Sequence, residues 1–217
     1  MPHGFEIPQL LFLLKGLRWT FALSVIGLSC GAVAGLGIAL ARTSPFPMLR
    51  HATAGYIALF QGTPLLMQLF VTYYGLALVG LELDAWVSVA IGFTLHASAY
   101  LGEIWRGSID AIPRGQVEAA NALGIGYITR MRKVVLPQAL RISLPATIGF
   151  FVQLIKGTSL AAIVGFTELA RAGSIVANQS FRPLLVYAVV GVLYFAMCWP
   201  LSLYGSWLER RLAVSAR

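Results

Sequence analysis

Few residues in this chain could do chemistry. Its 217 residues hold 16 Lys and Arg against 8 Asp and Glu, with three histidines and two cysteines. His96, Tyr100 and Glu103 are spaced by four and by three, which puts an imidazole, a phenol and a carboxylate on one face of a helix. Such a face could pass a proton, and Lys156, followed by Gly157, Thr158 and Ser159, could extend the relay. Glu103 also stands three residues before Arg106, and an i,i+3 ion pair is the simpler reading of it. Hydrolysis is poorly served. The chain has no G-x-x-x-x-G-K-[ST] phosphate loop, its histidines are scattered, and no nucleophile is paired with a base. Cys30 and Cys198 lie in apolar segments without disulfide or metal-type spacing, so they read as packing residues. No catalytic residue, metal site or bound cofactor is expected on the chain itself.

The elements that must position these residues are membrane spans. A composition 58% hydrophobic and 11% charged, with a mean hydropathy of +0.78, predicts an all-α, polytopic membrane protein forming a single unit over residues 1-217. The net charge of +8 does not imply nucleic acid, because the basic residues sit beside apolar segments and form no long run. The first residues show no positively charged leader and no small-residue cleavage site, so no removable signal peptide is expected. Residues 8-18, with Lys15 and Arg18, read as an interfacial helix. Five spans follow, at about 19-41, 52-79, 86-105, 142-166 and 184-207, with a polar loop over 106-141. Gly27, Gly31, Gly35 and Gly37 give the first span a small-residue face that another helix could approach closely. Thr167 to Gln179 reads as a short amphipathic helix in which Glu168 and Arg171 could pair.

Five spans put the termini on opposite sides. With the C-terminus inside, Arg42, Arg50, Arg106, Arg114, Arg130, Arg132, Lys133, Arg141, Arg210, Arg211 and Arg217 are cytoplasmic, and only Lys15, Arg18, Arg171 and Arg182 are outside. The positive-inside rule therefore predicts the N-terminus outside, and the 106-141 loop in the cytoplasm.

Two polar interruptions fall within spans. Gln61-Gly62-Thr63-Pro64 removes a helix hydrogen bond and loosens the backbone, which reads either as a proline kink or as a broken helix lining a substrate path. Lys156-Gly157-Thr158-Ser159 reads as a second break, and the two are expected to share one polar cavity.

The longest polar interruption is Gly115 to Pro137. Pro113 suits a helix first turn, Gly124 a left-handed position after a helix, and Pro137 the end of a second helix, so the loop reads as two short helices joined at Gly124-Ile125-Gly126. Tyr127, Met131 and Val134 form an apolar stripe, and Arg130 and Lys133 a basic one. Glu118-Ala119-Ala120, then Gly124, Val134, Leu136 and Pro137, resembles the EAA loop of bacterial binding-protein-dependent ABC importers, E-A-A-x3-G-x9-I-x-L-P, with Val134 in place of the Ile. In that family the loop docks in a groove of the ATPase subunit. The plain alternative is an interhelical loop whose Glu118 pairs with a nearby Arg.

The likeness extends along the chain. Gly62-Thr63-Pro64-Leu65-Leu66 with Gln68-Leu69-Phe70 is similar to the R-G-T-P-L-L-x-Q-L-F segment of polar amino acid permeases of the histidine/glutamine type. Ala99-Tyr100, Glu103-Ile104, Arg106-Gly107, Ile112-Pro113, Gly115-Gln116 and Phe181-Arg182-Pro183 match the same group. The resemblance implies a bacterial inner-membrane permease subunit, not itself catalytic, that moves a polar amino acid delivered by an extracytoplasmic binding protein. Its implied partners are a second permease subunit, identical or homologous, and two ATPase subunits carrying ATP and Mg. A proton-coupled secondary transporter using His96, Glu103 and Lys156 is the alternative. The chain departs from the group at Gln61, where Arg is usual, and at Gly157, where the usual K-D-T-S-L has Asp. Loss of both charges together suggests that they neutralise each other where both are present.

Overall fold

Residue 6 is the first of those that the computed structural model describes, and 214 the last. Helix α1, Ile7–Arg42, is continuous over 36 residues, roughly 54 Å at a rise of ~1.5 Å per residue. The interfacial segment 8-18 and the span 19-41 are thus one helix. Glu6 and Gln9 cap its start reciprocally, Pro8 falls in the first turn where its missing N–H costs nothing, and no later residue breaks the ladder.

Helix α2, Pro47–Gly62, stops at the predicted interruption. Thr63 and Pro64 are extended, and the chain restarts as α3, Leu65–Phe70, a π turn over Val71–Gly75 and the short α4, Leu76–Leu78. The two arms meet at 105°, far more than a proline kink produces, so this segment is a broken span or a re-entrant one.

Helix α5, Ala85–Asp110, packs along α1. Small residues make the contact close: a Cβ on Gly31 would lie 2.5 Å from Ala97 Cβ, one on Gly27 3.0 Å from Phe93 Cβ, and one on Gly35 3.1 Å from Leu101 Cβ. Gly37 has nothing within 4 Å and lies off this seam. Leu23, Leu69, Phe93, Ala97, Phe150 and Leu154 form the core that these elements share with the fourth span.

Beyond α5 come α6, Arg114–Ala122, and α7, Tyr127–Arg130. Helix α7 runs through a π turn, Met131–Val135, into α8, Leu136–Gly157, and then into a 3-10 turn, Thr158–Val164. Two expectations are corrected here. Pro137 does not end a helix: the Leu136 N–H reaches back five residues to Met131 O, and the opened turn accepts the proline in the first turn of α8. Lys156 to Ser159 is not a break either, since Gly157 stays helical (φ −62°, ψ −24°) and the helix only tightens. The helix that holds the predicted fourth span is therefore Tyr127–Val164, longer at its start than the predicted 142-166.

Helices α9, Leu169–Ser180, and α10, Pro183–Val214, complete the fold. The described residues hold four helices long and apolar enough to cross a membrane, or five spans if the bent pair is one. Helix α9 packs on the first turns of α1 and on α10 through Leu13, Leu169, Ala172, Val176 and Val186. Ile112, Val135 and Ala139 anchor the polar loop beside the last turns of α5, and Leu36, near the other end of α1, lies close by. The amphipathic helix and the polar loop therefore occupy opposite ends of the molecule.

Candidate coupling loop and substrate passage

The loop is built on a glycine. Gly124 has φ +70°, its N–H bonds to Asn121 O at 2.9 Å, and the Ile125 N–H bonds to Ala120 O at 3.0 Å, the paired bonds that close a helix through a left-handed residue. Ala120 is buried, whereas Glu118 and Ala119 are exposed. Arg130 ties the second helix to the first by donating to Asn121 Oδ1, and its guanidinium lies 5.4 Å from the centre of the Tyr127 ring. The apolar stripe divides: Met131 packs inward with Ile112 and Val135, while Tyr127 stays on the surface with Leu123 and Ile128, which are 77% and 71% exposed. Lys133 and Pro137 are exposed, and Leu136 is half-buried. Glu118 forms no ion pair among the described residues; it lines an open cleft of about 620 Å³ with Asp110, Arg114 and Arg130.

At the helix break, side chains take up several of the freed carbonyls. Thr63 Oγ1 donates to Leu59 O at 2.7 Å, and Gln68 Nε2 donates to Phe60 O at 2.7 Å and lies 3.0 Å from Thr63 O. The Gln68 Oε1 faces His96 Nδ1 at 3.0 Å. Gln61 and Pro64 are exposed. His96 and Tyr100 do share a face, with ring centres 4.5 Å apart, but Glu103 is held in a two-pronged pair by Arg106 (2.6 and 2.8 Å), which also binds Asp110. The relay from His96 to Glu103 and Lys156 is not assembled.

Lys156 lies on the outer side of α8. With Gln153, Ser202, Ser206 and Glu209 it lines a groove of about 530 Å³ between α8 and α10. Thr158, by contrast, is fully buried and donates to Ile155 O at 2.7 Å, so it does not face that groove, while Ser159 donates to Lys156 O at 2.8 Å. The two interruptions do meet: a Cβ on Gly157 would lie 3.1 Å from Leu65 Cδ2, just past the first break. They meet through a leucine and not through a polar cavity, and a carboxylate at position 157 would encounter that methyl group first.

Two further polar groups hold the fold together, Gln68 and Glu168. Gln68 appears in the sequence only as a motif letter, although an amide one turn after a proline in an apolar run is the available signal. The i,i+3 spacing lets Glu168 pair with Arg171, but Arg171 donates to Ala162 O at 2.8 Å. The Glu168 carboxylate is fully buried and accepts from Tyr194 Oη at 2.8 Å, from Thr20 Oγ1 at 3.3 Å and from the N–H groups of Ala170 and Arg171, both at 2.8 Å. It caps α9 and joins three helices.

Long apolar helices around a projecting two-helix loop define a polytopic, all-α membrane protein. The chain belongs to the family of binding-protein-dependent transport system inner membrane components, which it matches over residues 31–214. It is 36% identical over 202 residues to the probable amino-acid ABC transporter permease protein YckA of Bacillus subtilis, covering 93% of this chain and 89% of that protein. It is 37% identical over 198 residues to the L-cystine transport system permease protein TcyB of Bacillus subtilis, covering 91% and 85%. A crystal structure of an amino acid ABC transporter with histidines superposes with a TM-score of 0.86 at 33% identity, covering 92% of this chain and 94% of that one. The inward-facing MetNI methionine ABC transporter shares the fold, with a TM-score of 0.81 at 21% identity and coverage of 95% and 98%.

Proposed function

We propose that this chain is the permease subunit of an ATP-driven importer that moves a polar amino acid across the bacterial inner membrane after delivery by an extracytoplasmic binding protein. In this reading it works beside a second permease subunit and two ATPase subunits, which carry ATP and Mg. The observation that carries the proposal is the loop at Gly124. Leu123, Tyr127 and Ile128 present an apolar patch beside Glu118, Arg130 and Lys133, and Tyr127 and Ile128 stand on a helix that continues without a stop into α8. A partner that moves this patch moves the wall of the groove holding Gln153 and Lys156.

The excess of Lys and Arg on loop-side segments supports a cytoplasmic loop and C-terminus, with the N-terminus outside. The polar α8–α10 groove supports a second permease, because a wall of amide, hydroxyl and charged groups facing lipid is costly. Closed by that subunit, Lys156 would offer a counter-charge to an amino acid carboxylate.

The test is uptake into proteoliposomes carrying the permease with its ATPase, with binding protein added outside. Uptake that requires both ATP and binding protein is the expected result. Uptake driven by a proton gradient without ATP would sink this reading in favour of a secondary transporter.

A further inference from the structure

We propose that Gln68 and His96 form a latch that positions the two arms of the Thr63–Pro64 break; both are positioning residues, and the proposal rests on the permease reading above. Pro64 has no N–H, so the Phe60 carbonyl, its partner in an unbroken helix, would be left without a donor. Gln68, one turn into the second arm and 7% exposed, supplies that donor through Nε2 at 2.7 Å. The same nitrogen lies 3.0 Å from Thr63 O and 3.1 Å from Thr63 Oγ1, so one amide reaches both the Phe60 and the Thr63 carbonyl across a 105° bend.

With Nε2 committed as donor, Gln68 Oε1 can only accept. The group that faces it, at 3.0 Å, is Nδ1 of His96 on α5, so that nitrogen must carry the hydrogen. An acceptor at position 96 would turn the amide over and point its oxygen at the Phe60 and Thr63 carbonyls. The two carbonyls therefore set which way Gln68 faces, Gln68 sets the tautomer of His96, and a donor at position 96 holds the amide in that orientation.

The imidazole is itself held. Its ring centre lies 4.5 Å from that of Tyr100 and 6.1 Å from that of Phe150, and Tyr100 stacks on Phe150 at 5.3 Å. Phe150 belongs to α8, the helix that grows out of the loop at Gly124. The latch thus ties the break to α5 by a hydrogen bond and to α8 by ring contact. An apolar hollow of about 210 Å³, lined by Phe60, Thr63, Met67 and Gln68, leaves the arms room to move about this joint.

Two readouts separate the latch from plain packing. Histidine ring-nitrogen NMR spectra of the purified permease, with His96 assigned by the signals lost in His96→Asn, are expected to show the Nδ1–H tautomer. An Nε2–H tautomer overturns the latch, whatever the protein transports. In the assembled transporter, His96→Leu and Gln68→Leu are expected to cut uptake per ATP hydrolysed by about tenfold while hydrolysis stays within about twofold of wild type. His96→Asn, whose side-chain amide can donate from the place of Nδ1, is expected to restore uptake to within about threefold of wild type. Uptake and hydrolysis falling in proportion, or His96→Asn failing as badly as His96→Leu, overturns the proposal. A wild-type complex that couples no hydrolysis to uptake would sink the permease reading instead, and the tautomer would still decide the latch.

Discussion

At the scale of single residues, Gly124 sets the loop and Glu168 the start of α9. Gly124 occupies the left-handed region at φ +70° with open space around its Cβ position, so a substitution there meets backbone strain alone. That strain is roughly 1–2 kcal/mol for an ordinary L-residue and smaller for Asn. Copurification of the ATPase subunit should therefore stay near normal with Gly124→Asn and fall clearly with Gly124→Val. If the valine variant binds the ATPase as well as wild type does, the turn does not set the docking surface. Glu168 is the opposite case, with every oxygen engaged. Glu168→Ala removes the acceptor for two hydroxyls and two backbone N–H groups, at about 1–3 kcal/mol for each group left buried and unpaired. The thermal midpoint of the purified protein should drop sharply, and Glu168→Gln, which keeps an acceptor oxygen, should lose less. Equal midpoints for Glu168→Ala and wild type would remove the carboxylate from the account of stability. Gly124 was legible in the sequence because one residue type and one backbone region coincide. The Glu168 cluster was not, because Thr20 lies 148 residues and Tyr194 26 residues away along the chain.

At the scale of elements, legibility follows how each helix begins, breaks and packs. The Thr63–Pro64 break was readable because a missing N–H is written in the sequence, although its 105° angle was not. The π turn at Met131–Val135 leaves no side-chain signature. Pro137 consequently read as a terminator, when the turn before it had already released the bond a proline would break. Residues 8-18 read as a separate interfacial helix because Lys15 and Arg18 interrupt the apolar run, yet charge alone does not break a backbone ladder. The α1–α5 seam shows the tightest packing. A methyl group at Gly31 would sit 2.5 Å from Ala97 Cβ, closer than two carbons can approach, so Gly31→Ala must force the helices apart. Overpacking of this kind costs about 1–3 kcal/mol. Ala97→Gly removes the opposing methyl, and the double variant should regain much of the folded yield lost by Gly31→Ala. A double-mutant cycle with strictly additive losses would show that this contact does not fix the spacing of the two helices.

At the scale of the whole molecule, the arrangement of polar groups implies a surface that the single chain leaves open. Sequence reasoning placed Lys156 and Thr158 together in a passage, but helical geometry separates them: Thr158 turns into the core and Lys156 turns out with Gln153. Gln153 and Lys156 stand three apart on α8, facing Ser202, Ser206 and Glu209 of α10, and these polar groups form a cluster within a wall that Ile142, Ile148 and Val152 complete. In a membrane such a wall must meet water or another subunit, whereas the faces of α10 carrying Val192 and Phe195, both more than half exposed, suit lipid. Single cysteines distinguish the two surroundings in a background with Cys30 and Cys198 replaced by alanine. Gln153→Cys and Lys156→Cys should react with small water-soluble thiol reagents in the assembled transporter, at rates that change several-fold when ATP is bound, because gating opens the groove to one side at a time. Val192→Cys should stay unreactive throughout. If the groove cysteines are as inert as the one at Val192 in every nucleotide state, the groove faces lipid, and the passage must be sought at the Thr63–Pro64 break instead.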